Sequence, residues 1–222
     1  MKNLPLTKIR FPEINLKTRD AHHLRGYFGR LFEQYSPLIH NHYDSGNLRY
    51  AYPLVQYKVL NNVPTLVALD EGAELLTKLF LKMTEIQLNG QTYDITNKQI
   101  EQSVAQTGYS EDLHEYEFTN LWMALNQDNY HTYRKADSVG QKKLLTRILV
   151  GNVLSFFKYT DIQLEKGQQL MGKVFTEERT TKFKNRNMVA FKGRIVINAE
   201  LPNDIGIGKG VSRGFGAIRK TG

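Results

Sequence analysis

The sequence predicts an α+β protein built from two ferredoxin-like (RRM-like) domains in tandem, over residues 1–98 and 99–222. Three observations predict it. Residues 6–95 carry strand and helix patterns in the order β-α-β-β-α-β, with one extra hairpin strand, which is the ferredoxin-like order. The second half holds a strand, a long helix and a hairpin, which repeats much of that theme. The length, 222 residues, accommodates two small domains of about 100 residues each.

Each element of the first half has its own signal. Residues 6–14 alternate apolar and polar side chains, as a half-buried strand does. Residues 20–35 place Ala21, Leu24, Phe28, Leu31, Phe32 and Tyr35 at three- and four-residue spacings, which gives a helix one apolar stripe. Asp20 is the expected N-cap, and Pro37 stops the helix. Residues 36–47 concentrate Ser, Pro, Asn, Asp and Gly and read as a loop. Strands over 48–60 and 63–70 meet at Asn61-Asn62, where asparagine tolerates the positive φ of a tight hairpin turn. Residues 72–83 read as a short amphipathic helix, and 84–95 as a hairpin turning at Asn89-Gly90.

The domain boundary is placed in the polar stretch 96–110. A strand is expected over 112–121 and a helix over 138–158, with Ser138 and Gln141 as a capping box. Leu144, Leu145, Ile148, Leu149 and Phe156 supply its buried face. Residues 172–183 and 188–201 form a hairpin across 184–187. In it Ile195, Ile197, Ala199 and Leu201 alternate with Arg194, Val196, Asn198 and Glu200. A last strand is expected at 214–220.

Composition narrows the function. Lys and Arg total 30 against 22 Asp and Glu, a formal charge of +8, which points to an acidic partner, nucleic acid first. Cysteine is absent, which removes disulfides, thiolate metal sites and thiol catalysis. No signal-peptide core and no apolar run of about 20 residues is present, so a cytoplasmic protein with no membrane partner is expected.

The most informative segment is 206–216, Gly-Ile-Gly-Lys-Gly-Val-Ser-Arg-Gly-Phe-Gly. Glycines let backbone N–H groups approach a ligand, and Lys209, Arg213, Arg219 and Lys220 add positive charge, a combination suited to phosphate. It matches neither the Walker A loop nor the dinucleotide fingerprint. The pattern G-x-G-x-G-x-x-R-G-F-G near the C-terminus resembles the signature of the RAMP superfamily. In particular it is similar to the CRISPR-associated endoribonucleases that process precursor CRISPR RNA, proteins of similar length with two ferredoxin-like domains. The helix containing Leu24-Arg25-Gly26-Tyr27-Phe28, followed by a histidine-bearing loop, fits the same family.

That loop carries His40-Asn41-His42. As a metal pair it lacks further ligands beyond Asp44, so no metal and no cofactor is expected. Acid–base chemistry fits better, because histidine changes charge near neutral pH. The resemblance implies a catalytic histidine just after the first helix. His40 and His42 both lie there, and spacing does not choose between them. Tyr43, Arg49 and Tyr50 stand nearby as stabilisers of the phosphate. The implied reaction is metal-independent attack of a 2′-OH on its own phosphate, giving a 2′,3′-cyclic phosphate (or 3′-phosphate) and a 5′-OH. His22 and His23 read as a solvated helix face, and His114 and His131 have no assigned role.

The hairpin is basic. Lys182, Lys184, Arg186, Lys192 and Arg194 are its expected RNA contacts, with Phe175, Phe183 and Phe191 interleaved. The expected contacts of the glycine-rich segment are Gly206, Gly208, Lys209, Gly210, Ser212, Arg213, Gly214, Phe215 and Gly216. Alternation favours core packing for some of the rings, so the cations are preferred there. The resemblance makes CRISPR repeat RNA the partner, with other CRISPR effector-complex subunits as further candidates. The alternative function is a non-catalytic RNA-binding subunit of such a complex.

Overall fold

The computed structural model describes residues 1–31, 52–88, 90–183 and 186–222. Contacts divide the chain into two compact units. The first is Asn3–Ala105 with Val211–Gly214. The second is Met1–Lys2, Gln106–Gly210 and Phe215–Gly222. Among the described residues no helix is long and apolar enough to cross a membrane.

In the first unit, β1 (Lys2–Arg10) pairs antiparallel with β3 (Val63–Leu69), and β3 with β2 (Val55–Leu60). The β2–β3 turn is the expected one: Asn61 and Asn62 have φ of 50° and 65°, the pair of positive values that a type I′ turn requires. One face of this sheet, with Ile9, Tyr57, Val59, Leu66 and Ala68, is buried in a core with α1 (Ala21–Leu31) and α2 (Glu71–Leu79). Phe28 of α1 stacks on Phe11 and Tyr57, at 5.8 and 6.1 Å between ring centroids. A Phe at such a site is worth about 3–5 kcal/mol against Ala.

Three local expectations change. Asp20 does not cap α1; it ends a 3-10 turn (Thr18–Asp20), and its carboxylate accepts from the Lys17 N–H at 3.0 Å. The 84–95 hairpin, β4 (Glu85–Leu88) and β5 (Gln91–Asp94), forms its own two-stranded sheet. The fourth strand beside β1 is instead β6 (Gln99–Phe118), in the order β2-β3-β1-β6. β6 thus begins at Gln99, well before residue 112. Its first residues, Gln99–Val104, are all exposed, so no apolar alternation announces them.

β6 gives its first residues to the first unit and, from Gln106, its remainder to the second. There the order is β9-β6-β8-β7, with β7 at Gly172–Phe183, β8 at Arg186–Glu200 and β9 at Ile218–Lys220. Each unit therefore follows the same strand plan, and β6 serves as fourth strand of one and first strand of the other. β7 and β8 keep one register from Gly172↔Ile197 to Phe183↔Arg186. Helix α3 (Gln127–Lys135) was not anticipated. It is polar, and only Tyr133 is buried. Helix α4 (Ser138–Tyr159) is capped by Asp137, which accepts from the Gly140 N–H at 2.8 Å, rather than by Ser138 with Gln141. Its buried stripe is Leu144, Leu145, Leu149, Val153, Phe156 and Phe157, while Ile148 is half-buried. Where a ferredoxin-like domain has its second helix, the chain over 201–217 has no α-helix, only a 3-10 turn at Val211–Arg213.

Candidate nucleic-acid interface

The glycine-rich segment is ordered by its own backbone. Five of its N–H groups are donated within the chain: Ile207 to Gly216 O, Lys209 to Met123 O, Gly214 to Val211 O, Phe215 to Gly210 O and Gly216 to Leu121 O. Four glycines have positive φ: Gly208, Gly210, Gly214 and Gly216. A Cβ on Gly216 would lie 2.0 Å from the Ile207 carbonyl oxygen, and one on Gly208 would lie 2.5 Å from Trp122 Nε1. These glycines are demanded by close internal approach as much as by any ligand. The base of the segment is held by two polar contacts that the sequence alone did not single out. Arg219 donates to the buried Asp204 carboxylate at 2.8 Å, and the Ala217 N–H donates to Asn120 Oδ1 at 2.6 Å. Asp204 has φ of +70°, a conformation that Asp and Asn tolerate.

Val211–Gly214 belong to the first unit although they are C-terminal in sequence. A Cβ on Gly214 would lie 2.5 Å from Ala21 Cβ and 3.4 Å from the Tyr57 carbonyl oxygen. The segment thus seats against the start of α1 and the middle of β2. In the chain, residues 32–51 run between those same two elements. His40, His42, Tyr43, Arg49 and Tyr50 lie there, outside the described residues, as does Lys184 of the hairpin.

Positive charge gathers at this seat. Arg213 is half-buried, and burial, then the like charge of Arg25 on α1, holds its guanidinium below its ordinary value. An arginine stays protonated under such a shift, so both guanidiniums keep their charge. Arg25 is half-buried. His22 is exposed, with Nδ1 2.6 Å from the Arg19 carbonyl oxygen. His23 is half-buried, not solvated. Burial, then His22, pull its pKa down, while Asp20 pulls it up. Ser212 and Phe215 are half-buried, Gly206 is buried, and Lys209 is exposed.

On the hairpin, Lys182, Arg186, Lys192 and Arg194 are all exposed. Arg194 bonds Glu115 at 3.0 Å. Among the described residues Lys182, Arg186, Lys192 and Lys209 make no ion pair, so their charge is available to a polyanion. The rings divide. Phe191 is 1% exposed and packs on Trp122 and Tyr133, whereas Phe175 is 47% exposed. His114 is engaged by Ser110 and Glu200. Among the described residues, no group of three His, Asp or Glu side chains is placed to hold a metal ion.

Two family models match the chain almost end to end: a Cas6b N-terminal domain over residues 2–106 and a Cas6b C-terminal domain over 108–221. The chain belongs to the Cas6b family. A solved structure described as Cas6b is 34% identical, with a TM-score of 0.93 over 99% of this chain and 100% of that one. Another, described as the CRISPR RNA processing endoribonuclease Cas6b, is 30% identical, with a TM-score of 0.80 over 99% and 100%. An uncharacterised protein of Methanocaldococcus jannaschii is 36% identical over 141 residues, covering 64% of this chain and 95% of its own. The junction of the two Cas6b models, at 106–108, falls inside β6, and the C-terminal model contains the whole glycine-rich segment.

Proposed function

We propose that this Cas6b-family chain is an endoribonuclease that cleaves CRISPR repeat RNA once per repeat. The observation that carries the proposal is the match of both Cas6b models along the chain, together with 30% identity over full length to a structure described as a CRISPR RNA processing endoribonuclease. The cationic hairpin and the Arg25–Arg213 pair support it, because both suit a phosphate backbone.

In the mechanism we propose, one of His40 and His42 removes the 2′ proton and the other protonates the departing 5′ oxygen. The 2′ oxygen forms a bond to the adjacent phosphorus as the P–O5′ bond breaks. Tyr43 and Arg49 stabilise the crowded, doubly charged phosphorane. The nucleophile is already part of the RNA, so a base and an acid suffice and no metal is called for. The ends are a 2′,3′-cyclic phosphate, or a 3′-phosphate after its opening, and a 5′-OH. Lys182, Lys184, Arg186, Lys192, Arg194 and the 206–216 segment hold the RNA, in a cytoplasmic setting, with other effector-complex subunits as further partners.

The test is cleavage of 5′-labelled repeat RNA from the same genome in excess EDTA. Wild type is compared with His40→Ala, His42→Ala and the double variant. The expected result is cutting without metal that falls by about 100-fold or more in at least one single variant. The downstream product should accept a kinase-added 5′ phosphate without prior phosphatase. Tight binding with no cutting by wild type would leave an RNA-holding subunit instead.

A further inference from the structure

The second unit's sheet has one covered face and one open face. Val174, Phe191, Ile195 and Ile197 are buried on the first, and the approach of Leu149 to Gly172 places α4 there. The antiparallel register assigns the open face residue by residue. Along β7 it carries Lys173, Phe175 and Glu177, and across from them on β8 it carries Val196, Arg194 and Lys192. Among the described residues of that face Phe175 is the large exposed ring, at 47%. Its neighbours along the strand are a lysine and a glutamate, and its cross-strand partner is an arginine. Lys173 Nζ lies 5.3 Å from the ring centroid. An apolar protein side chain gains little from one ring fenced by charges. A nucleotide presents a flat π face to such a ring and a phosphate to the cations beside it.

Resting on the endoribonuclease reading above, we propose that Phe175, flanked by Lys173 and Arg194, is a stacking platform for an unpaired base of the bound RNA. The ring supplies a sequence-tolerant stack. Lys173 and Arg194 hold the phosphate of the stacked nucleotide, and Lys192 lies one strand step further on for the next. Glu177 is already engaged by Arg179, and Glu115 by Arg194, which limits their repulsion of the backbone. The ligand class is single-stranded RNA.

The experiment uses the full chain and two probes, an unstructured RNA of about 12 nucleotides and a blunt RNA hairpin with no unpaired flank. Phe175→Ala should weaken the unstructured RNA by about 5- to 100-fold, the value of one base stack, and leave the blunt hairpin unchanged. Phe175→Tyr keeps an aromatic face and should stay within about twofold of wild type. A 2-aminopurine scanned along the unstructured RNA should be quenched at one position by wild type and not by Phe175→Ala. Three results overturn the proposal: equal affinity of Phe175→Ala and wild type for both probes, equal loss on both probes, or intact RNA binding with a changed molecular mass, which would make the ring a protein contact. If wild type neither binds nor cuts repeat RNA, the endoribonuclease reading fails and this one with it. If wild type cuts while Phe175→Ala matches it on both probes, the platform alone fails.

Discussion

Gly214→Ala tests whether the C-terminal loop is seated in the first unit as the geometry describes. Two costs add. The residue has φ +91°, where a side chain is strained by about 1–2 kcal/mol. Its new Cβ would sit 2.5 Å from Ala21 Cβ, against about 3.5–4.0 Å for a comfortable carbon contact. Ala21 is fully buried and its methyl has no rotamer to escape into, so backbone must move, at about 1–3 kcal/mol. The sum, about 2–5 kcal/mol, is enough to open the segment locally without unfolding the chain. Hydrogen exchange read by mass spectrometry is the assay. Peptides over 21–31, 52–60 and 209–216 should exchange about 30-fold faster or more, since 1.4 kcal/mol is a factor of ten. Cleavage of repeat RNA should fall in parallel, because Arg213 leaves its place beside Arg25. Adding Ala21→Gly should return the steric part and not the strain of positive φ. Unchanged exchange and cleavage in Gly214→Ala would refute the seat.

The converse substitution is Gly151→Ala. Gly151 is exposed inside α4 with nothing near its missing Cβ, so Ala should stabilise by about 0.5–1 kcal/mol in urea unfolding. His23 gives a pH signature. Its folded pKa lies below the ordinary 6.5, so its contribution is present above that value and is lost as pH falls through the lowered one. The stability difference between wild type and His23→Gln should therefore shrink on acidification below pH 6.5 and stay level above it. Salt reports the hairpin: Lys182→Ala or Lys192→Ala should lower the slope of log affinity against log salt by about 0.7–0.9 each, and a change only in intercept would remove that lysine from the phosphate contacts.

Much of the fold was legible because its signals are local. Asn61-Asn62 announced their turn through backbone tolerance, and Ile195, Ile197 and Ala199 announced β8 through alternation. What stayed hidden depends on partners distant in sequence. Gln99–Val104 form a strand with no buried side chain, held beside β1 by backbone pairing and by Gln102 Nε2 donating to Thr77 Oγ1 at 3.0 Å, so nothing in their own sequence separates them from a polar loop. The 84–95 hairpin was legible as a hairpin, but its exclusion from the main sheet was decided by that same late-arriving strand. Ser138 suits a cap by residue type, but Asp137, one residue earlier, is the residue that accepts from the Gly140 N–H. At the candidate site the glycines and cations could be read directly. The pairing of Arg25 with Arg213 could not, since they are nearly the whole chain apart.

The glycine pattern of 206–216 now has a physical cause independent of any ligand. Val211–Gly214 are a four-residue excursion into the first unit from flanks that belong to the second. The chain must reverse where it leaves and where it returns, and the residues at those points are Gly210 and Gly214, with φ of +67° and +91°. The mouth of the excursion is closed by the Phe215 N–H donating to the Gly210 carbonyl. Gly216 then lets the returning chain pass against Ile207, and Gly208 lets the outgoing chain pass under Trp122. Of the segment's side chains, Ile207 and Val211 are buried, while Lys209, Ser212, Arg213 and Phe215 are exposed or half-buried. Substitutions therefore should separate: the glycines acting through exchange and stability, and Lys209 and Arg213 acting on salt-dependent RNA affinity with stability held. If Gly208→Ala weakened RNA binding while leaving exchange and stability untouched, the glycines would have to be returned to the role of a backbone cradle for phosphate.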